Sequence, residues 1–345
     1  GDGTGSVITV TASYVTVDGL TIENSGPKHQ TVDAGITVRG ADNVKILRNR
    51  IRDCLFGINF EQTNRSVIED NDITSLPVSL GLKGDGIRLW YSHGNLIRMN
   101  RTRYVRDNVF WYSSANKIYE NSGADSRYSL HFMYADRNEI LSNDYRRNSV
   151  GIFLMFSQGS TLKRNFVADS TGPFGIGIGM KESSDILVEE NQILYNARGF
   201  YLDSSPYQPG TFNTFRGNEI NFNTTAFLLH GTLLPSLFES NVFKGNIEDV
   251  ANDTPESKLE INTWRSNYWD NYEGFDRNDD GYGDIPHEQW MYADRIWSYL
   301  PAAKFFYASP VLDFMNFLWR LMPFSEPVLL ARDARPQIRE RGTEK

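Results

Sequence analysis

The sequence has a single cysteine, Cys54, among its 345 residues. One cysteine cannot form a disulfide within the chain. Exported proteins often lack cysteines too, so cysteine usage does not indicate the compartment. A free cysteine commonly behaves as a small apolar side chain, and we expect Cys54 to be buried rather than to act as a reactive thiol.

The sequence also lacks any apolar run of about 18 residues, the length that a membrane-spanning helix needs. It has no basic excess, because 43 acidic residues outnumber 35 basic ones and the net charge is -8. Proteins that bind nucleic acid need a basic surface to neutralise phosphates. We therefore expect a protein without a nucleic-acid partner that is at most peripheral to a membrane.

No secretory signal segment precedes the first predicted strand. Residues 1–5 are typical of a turn, and residues 7–10 are typical of a strand. Because a domain rarely begins in the middle of its pattern, we expect upstream residues to belong to the same fold. The missing signal segment is therefore no argument for the cytoplasm.

One short motif recurs along the chain: an apolar pair, a short polar stretch, an asparagine, one variable residue and then usually an apolar one. Its asparagines are Asn49, Asn71, Asn100, Asn121, Asn143, Asn165, Asn191, Asn218 and Asn241, with a weaker copy at Asn267. The eight steps from Asn49 to Asn241 average about 24 residues. Apolar residues within each unit recur with period two, as in a strand, and such a unit buries its apolar side only when successive units stack. The repeat predicts an all-β fold, a right-handed parallel β-helix over residues 1–272.

We expect the repeated asparagines to be structural. A short amide side chain tolerates left-handed backbone in a turn and can bond to nearby backbone groups. In a stack of coils the same asparagine can also form a ladder from one coil to the next.

A second strand follows each asparagine by about eight residues, and its side chains alternate between core and solvent. Aligned copies begin at Gly86, Ser129, Gly151, Gly175, Gly199 and Ala226. The outward positions then read Arg88, His131, Phe153, Gly177, Tyr201, Leu228 in one column and Trp90, Met133, Met155, Gly179, Asp203, His230 in the other. Exposed Phe153, Trp90 and Tyr201 on nearby coils predict a binding surface.

Met133 and Met155 fall in the same outward column on consecutive coils. His131 lies two residues before Met133 on the same face, and Met180 lies one residue past the column on the next coil. Thioether sulfurs favour Cu(I), and imidazole binds copper in either oxidation state. These four residues are a candidate site for transiently held copper. The alternative is that the methionines only fill gaps in packing.

Residues 276–284 resemble the first part of a calcium-binding loop. Asp276, Asn278 and Asp280 would supply side-chain oxygens, Tyr282 its carbonyl oxygen, and Asp284 a carboxylate at the ninth position. The glutamate expected at the twelfth position is absent, since His287 stands there. An acidic turn without a metal is the alternative.

The composition changes after Tyr272. Aromatic residues crowd residues 290–307, which predicts a cap of residues 273–308 over the end of the stack. Ser309 and Pro310 are typical of a helix start, within a last segment of residues 309–345 that also holds a basic tail. The apolar face of this helix consists of Leu312, Met315, Leu318, Trp319 and Met322. It would dock on a membrane protein or, alternatively, pack on its own β-helix.

Two C-terminal stretches, residues 266–284 and residues 309–327, resemble the NosD family. The coil pattern is shared with many carbohydrate-active β-helices, so these two stretches are the specific part. The resemblance implies a periplasmic accessory protein, not an enzyme, for maturation of the copper-sulfide cluster of nitrous-oxide reductase. The implied partners are the permease and ATPase subunits of an ABC-type membrane complex, a copper chaperone lipoprotein and the reductase. The resemblance implies no particular copper ligands.

The alternative function is a carbohydrate-active enzyme on the same fold, such as a polysaccharide lyase, hydrolase or epimerase. Such enzymes need several carboxylates and a base on one face. The outward columns offer Asp203 and little else nearby. A purely structural adhesion solenoid would leave the aromatic cap and the helix without a purpose.

Overall fold

The computed structural model of the protein describes residues 1–291, 306, 309–321 and 327–340. These residues confirm the parallel β-helix, because the chain winds through short strands and every third strand returns to the same sheet. Within the described residues the three sheets contain 11, 13 and 11 strands. Successive strands of each sheet within the coils are parallel.

Sheet 1 carries the outward columns discussed above. Its strands, in order, are Ile8–Val10, Ala34–Arg39, Phe56–Glu61, Ile87–Trp90, Asp107–Trp111, Tyr128–Met133, Val150–Met155, Ile176–Lys181, Arg198–Asp203, Thr225–His230 and Glu248–Asn252.

Sheet 2 follows sheet 1 in each coil. Its strands, in order, are Thr16–Asp18, Lys45–Leu47, Val67–Glu69, Leu96–Arg98, Lys117–Tyr119, Glu139–Leu141, Thr161–Lys163, Leu187–Glu189, Asn213–Arg216, Ser236–Glu239, Thr263–Arg265, Val328–Asp333 and His287–Met291.

Sheet 3 completes each coil. Its strands, in order, are Thr21–Glu23, Arg50–Cys54, Asp72–Ser75, Arg101–Arg103, Ser122–Ala124, Asp144–Arg146, Phe166–Ala168, Gln192–Leu194, Glu219–Asn221, Val242–Lys244 and Tyr268–Trp269. The helical elements of the described residues are two 3₁₀ turns, Leu80–Leu82 and Leu259–Ile261, and the α-helix Pro310–Leu321, here called α1.

The core is a set of apolar columns that run along the axis of the stack. Each sheet 2 strand of the coils has an inward, buried apolar residue: Val17, Ile46, Ile68, Ile97, Ile118, Ile140, Leu162, Val188, Phe215, Phe238 and Trp264. Identical or similar side chains therefore pack on each other from coil to coil, which buries the apolar side that no single coil could bury. Cys54 is one of the buried core residues, as expected, and burial raises the pKa of its thiol.

The predicted asparagine ladder is present and unbroken. The side-chain amide nitrogen of each asparagine donates to the side-chain oxygen of the next, at 2.9–3.1 Å, through Asn49, Asn71, Asn100, Asn121, Asn143, Asn165, Asn191, Asn218, Asn241 and Asn267. All ten side chains are buried. Each net hydrogen bond contributes about 1 kcal/mol, whereas removing one partner leaves a buried polar group that costs about 1–3 kcal/mol.

The left-handed residue of this turn is the one before the asparagine, not the asparagine itself. Arg48, Asp70 and Met99 have φ values of 52°, 54° and 57°, and each precedes a ladder asparagine. The expectation that asparagine is chosen because it tolerates left-handed backbone is wrong at this position. The amide is needed instead for the hydrogen bonds of the ladder inside the stack.

The C-terminal segment closes the end of the stack. Strand Val328–Asp333 pairs antiparallel with His287–Met291, and its last residue pairs with Trp264 of the final coil. Leu330 and Ala331 are buried in the main core cluster. Residues 292–305 and 307–308 of the predicted cap lie outside the described residues. The part of the tail that is described thus contributes an end strand of sheet 2.

Candidate functional site

The outward face of sheet 1 carries the residues predicted as a copper site. Met133 and Met155 are register partners on adjacent strands, and adjacent strands lie about 4.8 Å apart. His131 and Met133 are two residues apart on one strand, so alternation brings both side chains to the same face. Within the described coils the column reads Trp90, Trp111, Met133, Met155, Lys181, Asp203 and His230.

The coil after Met155 has a different register from the one expected. Lys181, rather than Gly179, is the register partner of Met155. The step from Asn165 to Asn191 is 26 residues, whereas the step from Asn143 to Asn165 is 22. Because this coil is longer, the observed strand pairing differs by two residues from the alignment expected from the sequence.

Met180 is excluded from the site by this register. It pairs with Leu154, an inward position, and is fully buried. Its sulfur therefore belongs to the core, and the prediction that Met180 supplies a copper ligand is corrected. Gly177 also occupies an inward position, because a Cβ there would lie 2.9 Å from Cγ2 of the core residue Ile193.

His131 is in direct contact with Met155. Its Nε2 atom lies 3.2 Å from Sδ of Met155 on the following coil. The imidazole stacks on Tyr128, with ring centroids 4.6 Å apart, and Phe153 meets it edge-on. Only 13% of the His131 side chain is exposed. The ring is therefore held by its neighbours with one nitrogen directed at a thioether.

Gly179 makes room for Phe153 on this face. A Cβ at position 179 would lie 2.3 Å from Cε2 of Phe153. Phe153 packs with Val150 and Ile176 in a small outer cluster that Tyr128, Met155 and Tyr201 border. Phe153 is therefore buried although it lies on the outward face, and the expectation of an exposed ring there is wrong.

The buried carboxylate of Asp107 lies on the Nδ1 side of the His131 ring. Oδ2 of Asp107 lies 3.7 Å from Nδ1 of His131, and Nε of Arg127 donates to Oδ1 of Asp107 at 2.8 Å. Burial alone would raise the pKa of Asp107, but the hydrogen bonds from Arg127 and the nearby His131 outweigh it, and the pKa is lowered. The carboxylate of Asp107 thus faces Nδ1 of His131, while Nε2 faces the sulfur of Met155.

A second buried carboxylate, Asp85, lies one coil earlier. It pairs with Nη2 of Arg106 at 3.0 Å. Burial raises the pKa of Asp85 to about 6, although Arg106 acts in the opposite direction. Sequence reasoning missed both Asp85 and Asp107. Arg106 directly precedes Asp107 in the sequence, but Asp85 is flanked by Gly84 and Gly86, so no common sequence signal marked the two carboxylates.

The arrangement suits a soft metal ion. Bonds from a metal to an imidazole nitrogen and to a sulfur are about 2.0 and about 2.3 Å long, so two atoms 3.2 Å apart can bind one ion. Among the described residues no group of three or more His, Cys, Asp and Glu side chains could hold a metal. The donors near His131 are thus one imidazole and two thioethers, which favour Cu(I).

His230 and Asp203 share a column with Met133 but lie away from it, as the sequence indicated. His230 contacts Asp253 through Nδ1 at 2.7 Å. Asp203 accepts a hydrogen bond from Lys181 at 2.8 Å. Both are engaged with residues on adjacent coils and contribute nothing to the His131 site.

The calcium-like loop is folded around its own carboxylates. Oδ2 of Asp276 accepts a hydrogen bond from the backbone of Gly281 at 2.8 Å, and Oδ1 of Asp280 accepts one from Tyr282 at 2.9 Å. Asp284 accepts one from the backbone of Arg277. The side chain of Arg335 pairs with Oδ2 of Asp280 at 2.8 Å. A cation in this loop would have to displace that guanidinium.

Helix α1 presents apolar side chains to solvent. Six of them are exposed: Val311, Phe314, Met315, Phe317, Leu318 and Leu321. Of the five residues predicted to dock, Met315 and Leu318 are among these, the side chains of Leu312 and Trp319 are not described, and Met322 lies outside the described residues. Within the described part of the chain, no helix has both the length and the hydropathy to cross a membrane.

Solved structures similar to this chain confirm the fold. The A-module of the mannuronan C-5 epimerase AlgE6 of Azotobacter vinelandii aligns with a TM-score of 0.56 and 16% identity, over 76% of this chain and 77% of that one. A variant of the periplasmic alginate epimerase AlgG aligns with a TM-score of 0.51 and 12% identity, over 68% of this chain and 65% of that one. At these identities the likeness shows the β-helix and nothing about activity.

Relatives in sequence are more specific. A probable ABC transporter binding protein NosD of Pseudomonas aeruginosa is 27% identical over 98% of this chain and 81% of its own length. A protein of the same description from Stutzerimonas stutzeri is 28% identical over 93% of this chain and 76% of its own length. The family model for the periplasmic copper-binding protein NosD matches residues 73–274, more than half of the chain. The chain belongs to the NosD family of periplasmic copper-binding proteins.

Proposed function

We propose that this protein holds copper in transit during maturation of the copper-sulfide cluster of nitrous-oxide reductase. The cargo is Cu(I), and the ligands are His131, Met133 and Met155. A copper chaperone lipoprotein supplies the ion, and an ABC-type complex of permease and ATPase subunits works with the protein in the periplasm. The observation that carries the proposal is the 3.2 Å contact of Nε2 of His131 with Sδ of Met155, beside Met133, in a member of a copper-binding family.

These ligands suit an ion that must be released again. Thioethers are neutral and need no deprotonation, so they bind Cu(I) without the strong proton coupling of thiolates. The single cysteine of the chain is buried in the core and offers no thiolate at this face. Met133 and Met155 are partly exposed at the surface of sheet 1, so a chaperone can approach the ion directly.

The carboxylate of Asp107 supports the proposed role of His131 as a metal ligand. An imidazole binds a metal through a nitrogen that carries no proton, and an outer carboxylate on the other nitrogen fixes that form. Asp107 lies on this side of His131, 3.7 Å from Nδ1, and the hydrogen bond from Arg127 helps to lower the pKa of the carboxylate.

The direct test replaces Met133 and Met155 together with leucine, which keeps the volume and removes both sulfurs. Cu(I) affinity is measured anaerobically by competition with a chromophoric chelator. Loss of a group that only supports a ligand typically lowers metal affinity about 10–100-fold, and the loss of two ligands should lower it further. The matched control is Met99→Leu, which removes an exposed thioether elsewhere on the coils. Unchanged affinity and unchanged copper content of the reductase in the double variant would show that the methionines serve packing only.

Helix α1 is the proposed contact with the membrane complex. Its exposed apolar side chains form a surface that a partner would bury. The strands on either side of residues 292–327 pair with each other, at Met291 with Val328, so both ends of this segment are fixed to the end of the β-helix. The relatives named as ABC transporter binding proteins support a partner of that class.

Deletion of the chain from Ser309 onward is a poor test of this contact, because it also removes Asp333, which ends the asparagine ladder. The sharper variant changes Val311, Phe314 and Leu318 to serine and leaves the strand in place. Co-purification with the permease and ATPase subunits should be lost while the melting temperature stays within a few degrees. Phe174→Ser, a more exposed aromatic on the coils, is the control. Retained co-purification of the triple variant would place the contact elsewhere.

The alternative, a carbohydrate-active enzyme, has one observation in its favour. Two buried carboxylates, Asp85 and Asp107, lie on the same face as His131. Each is paired with an arginine, however, which leaves neither as a free general base. Incubation with uronic-acid and neutral polysaccharides should give no new reducing ends, unsaturated products or epimers; any such turnover that is lost in His131→Gln would support the enzyme.

A further inference from the structure

Sheet 3 has a depression on its outer face, away from the His131 site. Its cavity volume is about 260 Å³, and its lining includes Arg101, Arg103, Ser122, Ala124, Arg146 and Arg147. Pockets for drug-sized ligands measure about 300–1,000 Å³, so this one suits a small molecule. We infer that this depression binds a small ligand through an oxyanion group, such as a sulfate, phosphate or carboxylate.

The depression exists because one coil has small outward side chains between two coils with long ones. Ser122 and Ala124 are the register partners of Arg101 and Arg103 on one side. On the other side they pair with Asp144 and Arg146. The short side chains form the floor, and the arginines of the two flanking coils form the walls.

The floor is lowered further by a glycine between the two small residues. Gly123 points inward, where a Cβ would lie 2.9 Å from Oγ of Ser129 and 3.0 Å from the ring of Tyr145. The backbone at this coil therefore sits close to the core. Ser122 places a hydroxyl at the floor, which is a hydrogen-bond donor suited to an oxyanion.

Two of the four guanidinium groups have donors to spare. Nε of Arg103 is buried and donates to no atom of the described residues, and its contact with Asp72 is single and long, at 3.3 Å. Arg101 forms no ion pair with any described residue. A buried donor without a partner costs free energy unless a ligand satisfies it.

The other two arginines are already neutralised and shape the site. Arg146 forms two hydrogen bonds to Asp144, at 2.7 and 2.9 Å, and Arg147 forms two to Asp125, at 2.9 and 3.1 Å. Asp144 is therefore a paired carboxylate rather than a free negative charge facing the depression. The uncompensated positive charge belongs to Arg101 and Arg103.

This positive charge lies in a chain whose net charge is -8, and the chain as a whole repels anions. An oxyanion can accept hydrogen bonds from the forked donors of arginine, and such charge-assisted bonds are about twice as strong as neutral ones. Arg101 and Arg103 lie two residues apart on one strand and present their side chains on the same face. A single oxyanion between them would also reach the hydroxyl of Ser122.

The test uses inorganic phosphate and inorganic sulfate as probes, with equilibrium dialysis of the labelled anions at low ionic strength. The double variant Arg101→Gln/Arg103→Gln should weaken binding by about tenfold or more, because two charge-assisted contacts are lost. Ser122→Leu, which fills the floor and keeps every charge, should weaken it to a similar degree. Melting curves of all variants confirm that the coils remain folded.

The matched control is Arg50→Gln/Arg52→Gln. Arg50 lies in the same column as Arg101 two coils earlier, and Arg52 follows it by two residues on the same strand. The next coil there carries Asp72 and Thr74 instead of Ser122 and Ala124. The control should bind both probes within twofold of the wild type. An equal loss in this control would show general charge attraction and overturn the proposal. Absence of saturable binding by the wild type would overturn it as well, and so would binding only to vesicles with anionic lipids, which would make a membrane the partner.

Discussion

The side-chain amide of Asn267 donates to a carboxylate oxygen of Asp333 at 2.9 Å, across 66 residues of sequence. This contact ends the asparagine ladder. The last asparagine of the ladder has an amide donor but no following asparagine to accept its hydrogen bond. A carboxylate can take that place because it only accepts hydrogen bonds. The same carboxylate accepts from the backbone of Ser266 and Asn267 and from the indole of Trp269. The C-terminal strand is thereby fixed to the last coil.

Asp333→Ala should therefore destabilise the protein more than the loss of one hydrogen bond. These four donors and the backbone N–H of Arg335 would lose their acceptor, and we expect the free energy of unfolding to fall by about 2–4 kcal/mol. Asp333→Asn, which keeps one acceptor oxygen, should cost less. Asp313→Ala, an exposed aspartate on α1, is the control. Urea denaturation followed by circular dichroism measures the difference, and equal midpoints for all three variants would contradict the role of Asp333.

Gly179→Ala should weaken copper binding although Gly179 is not a ligand. The new Cβ would lie 2.3 Å from the ring of Phe153, which must then move and disturb the packing around His131 and Met155. We expect Cu(I) affinity to fall by about tenfold, as is typical for groups that position a ligand. Gly81→Ala, where a Cβ meets nothing within 4 Å, is the matched control. The copper hypothesis loses this support if both variants bind Cu(I) alike.

The buried histidine at the end of the stack should make the protein sensitive to acid. Burial lowers the pKa of His287 from 6.5 to about 4. Between these values the unfolded chain binds a proton that the folded protein does not, so stability is complete above pH 6.5 and falls as the pH drops towards 4. The loss approaches about 3 kcal/mol near pH 4.

His287→Gln removes this pH-dependent loss of stability. The difference in stability between the wild type and the variant therefore isolates the effect of His287. Burial raises the pKa of Asp85 and of Asp249 to about 6, which favours the folded state as the pH falls from 6 to 3.8. Both groups are common to wild type and variant, so their effect cancels in the difference. Urea midpoints measured from pH 7 to pH 4 should converge or cross as the pH falls. Parallel curves would show that His287 does not titrate as its burial requires.

Calcium binding by residues 276–284 remains a prediction, and Arg335 is the residue that decides it. The guanidinium of Arg335 pairs with Asp280 and would compete with a cation. Arg335→Gln should therefore bind Ca²⁺ more tightly than the wild type, by about tenfold if one charged contact is relieved. Asp276→Asn should bind it more weakly. Isothermal titration with Ca²⁺ measures both, and no heat for the wild type or for Arg335→Gln would identify the loop as an acidic turn.

Much of the fold was legible from the sequence because it depends on local chemistry. The asparagine period gave the coil length, and the strict alternation of a strand placed His131, Met133 and Met155 on one face. Both rules hold for any coil, whatever lies above or below it. A second ladder, Asn95, Asn116 and Asn138, was also readable at a spacing of 21–22 residues but went unnoticed.

The predictions that failed, and the residues that were missed, depend on contacts between different parts of the stack. Met180 was proposed as a ligand although it lies one residue past an outward position, and its pairing with Leu154 shows that it faces the core. Asp107 reaches His131 from the preceding coil, and Arg103 borders a depression that a neighbouring coil opens. Asp333 meets Asn267 from the far end of the chain. The sequence by itself determined the coil and the faces of its strands, because backbone geometry sets them residue by residue. The tertiary structure decided the sites, because each is assembled from side chains that only stacking brings together.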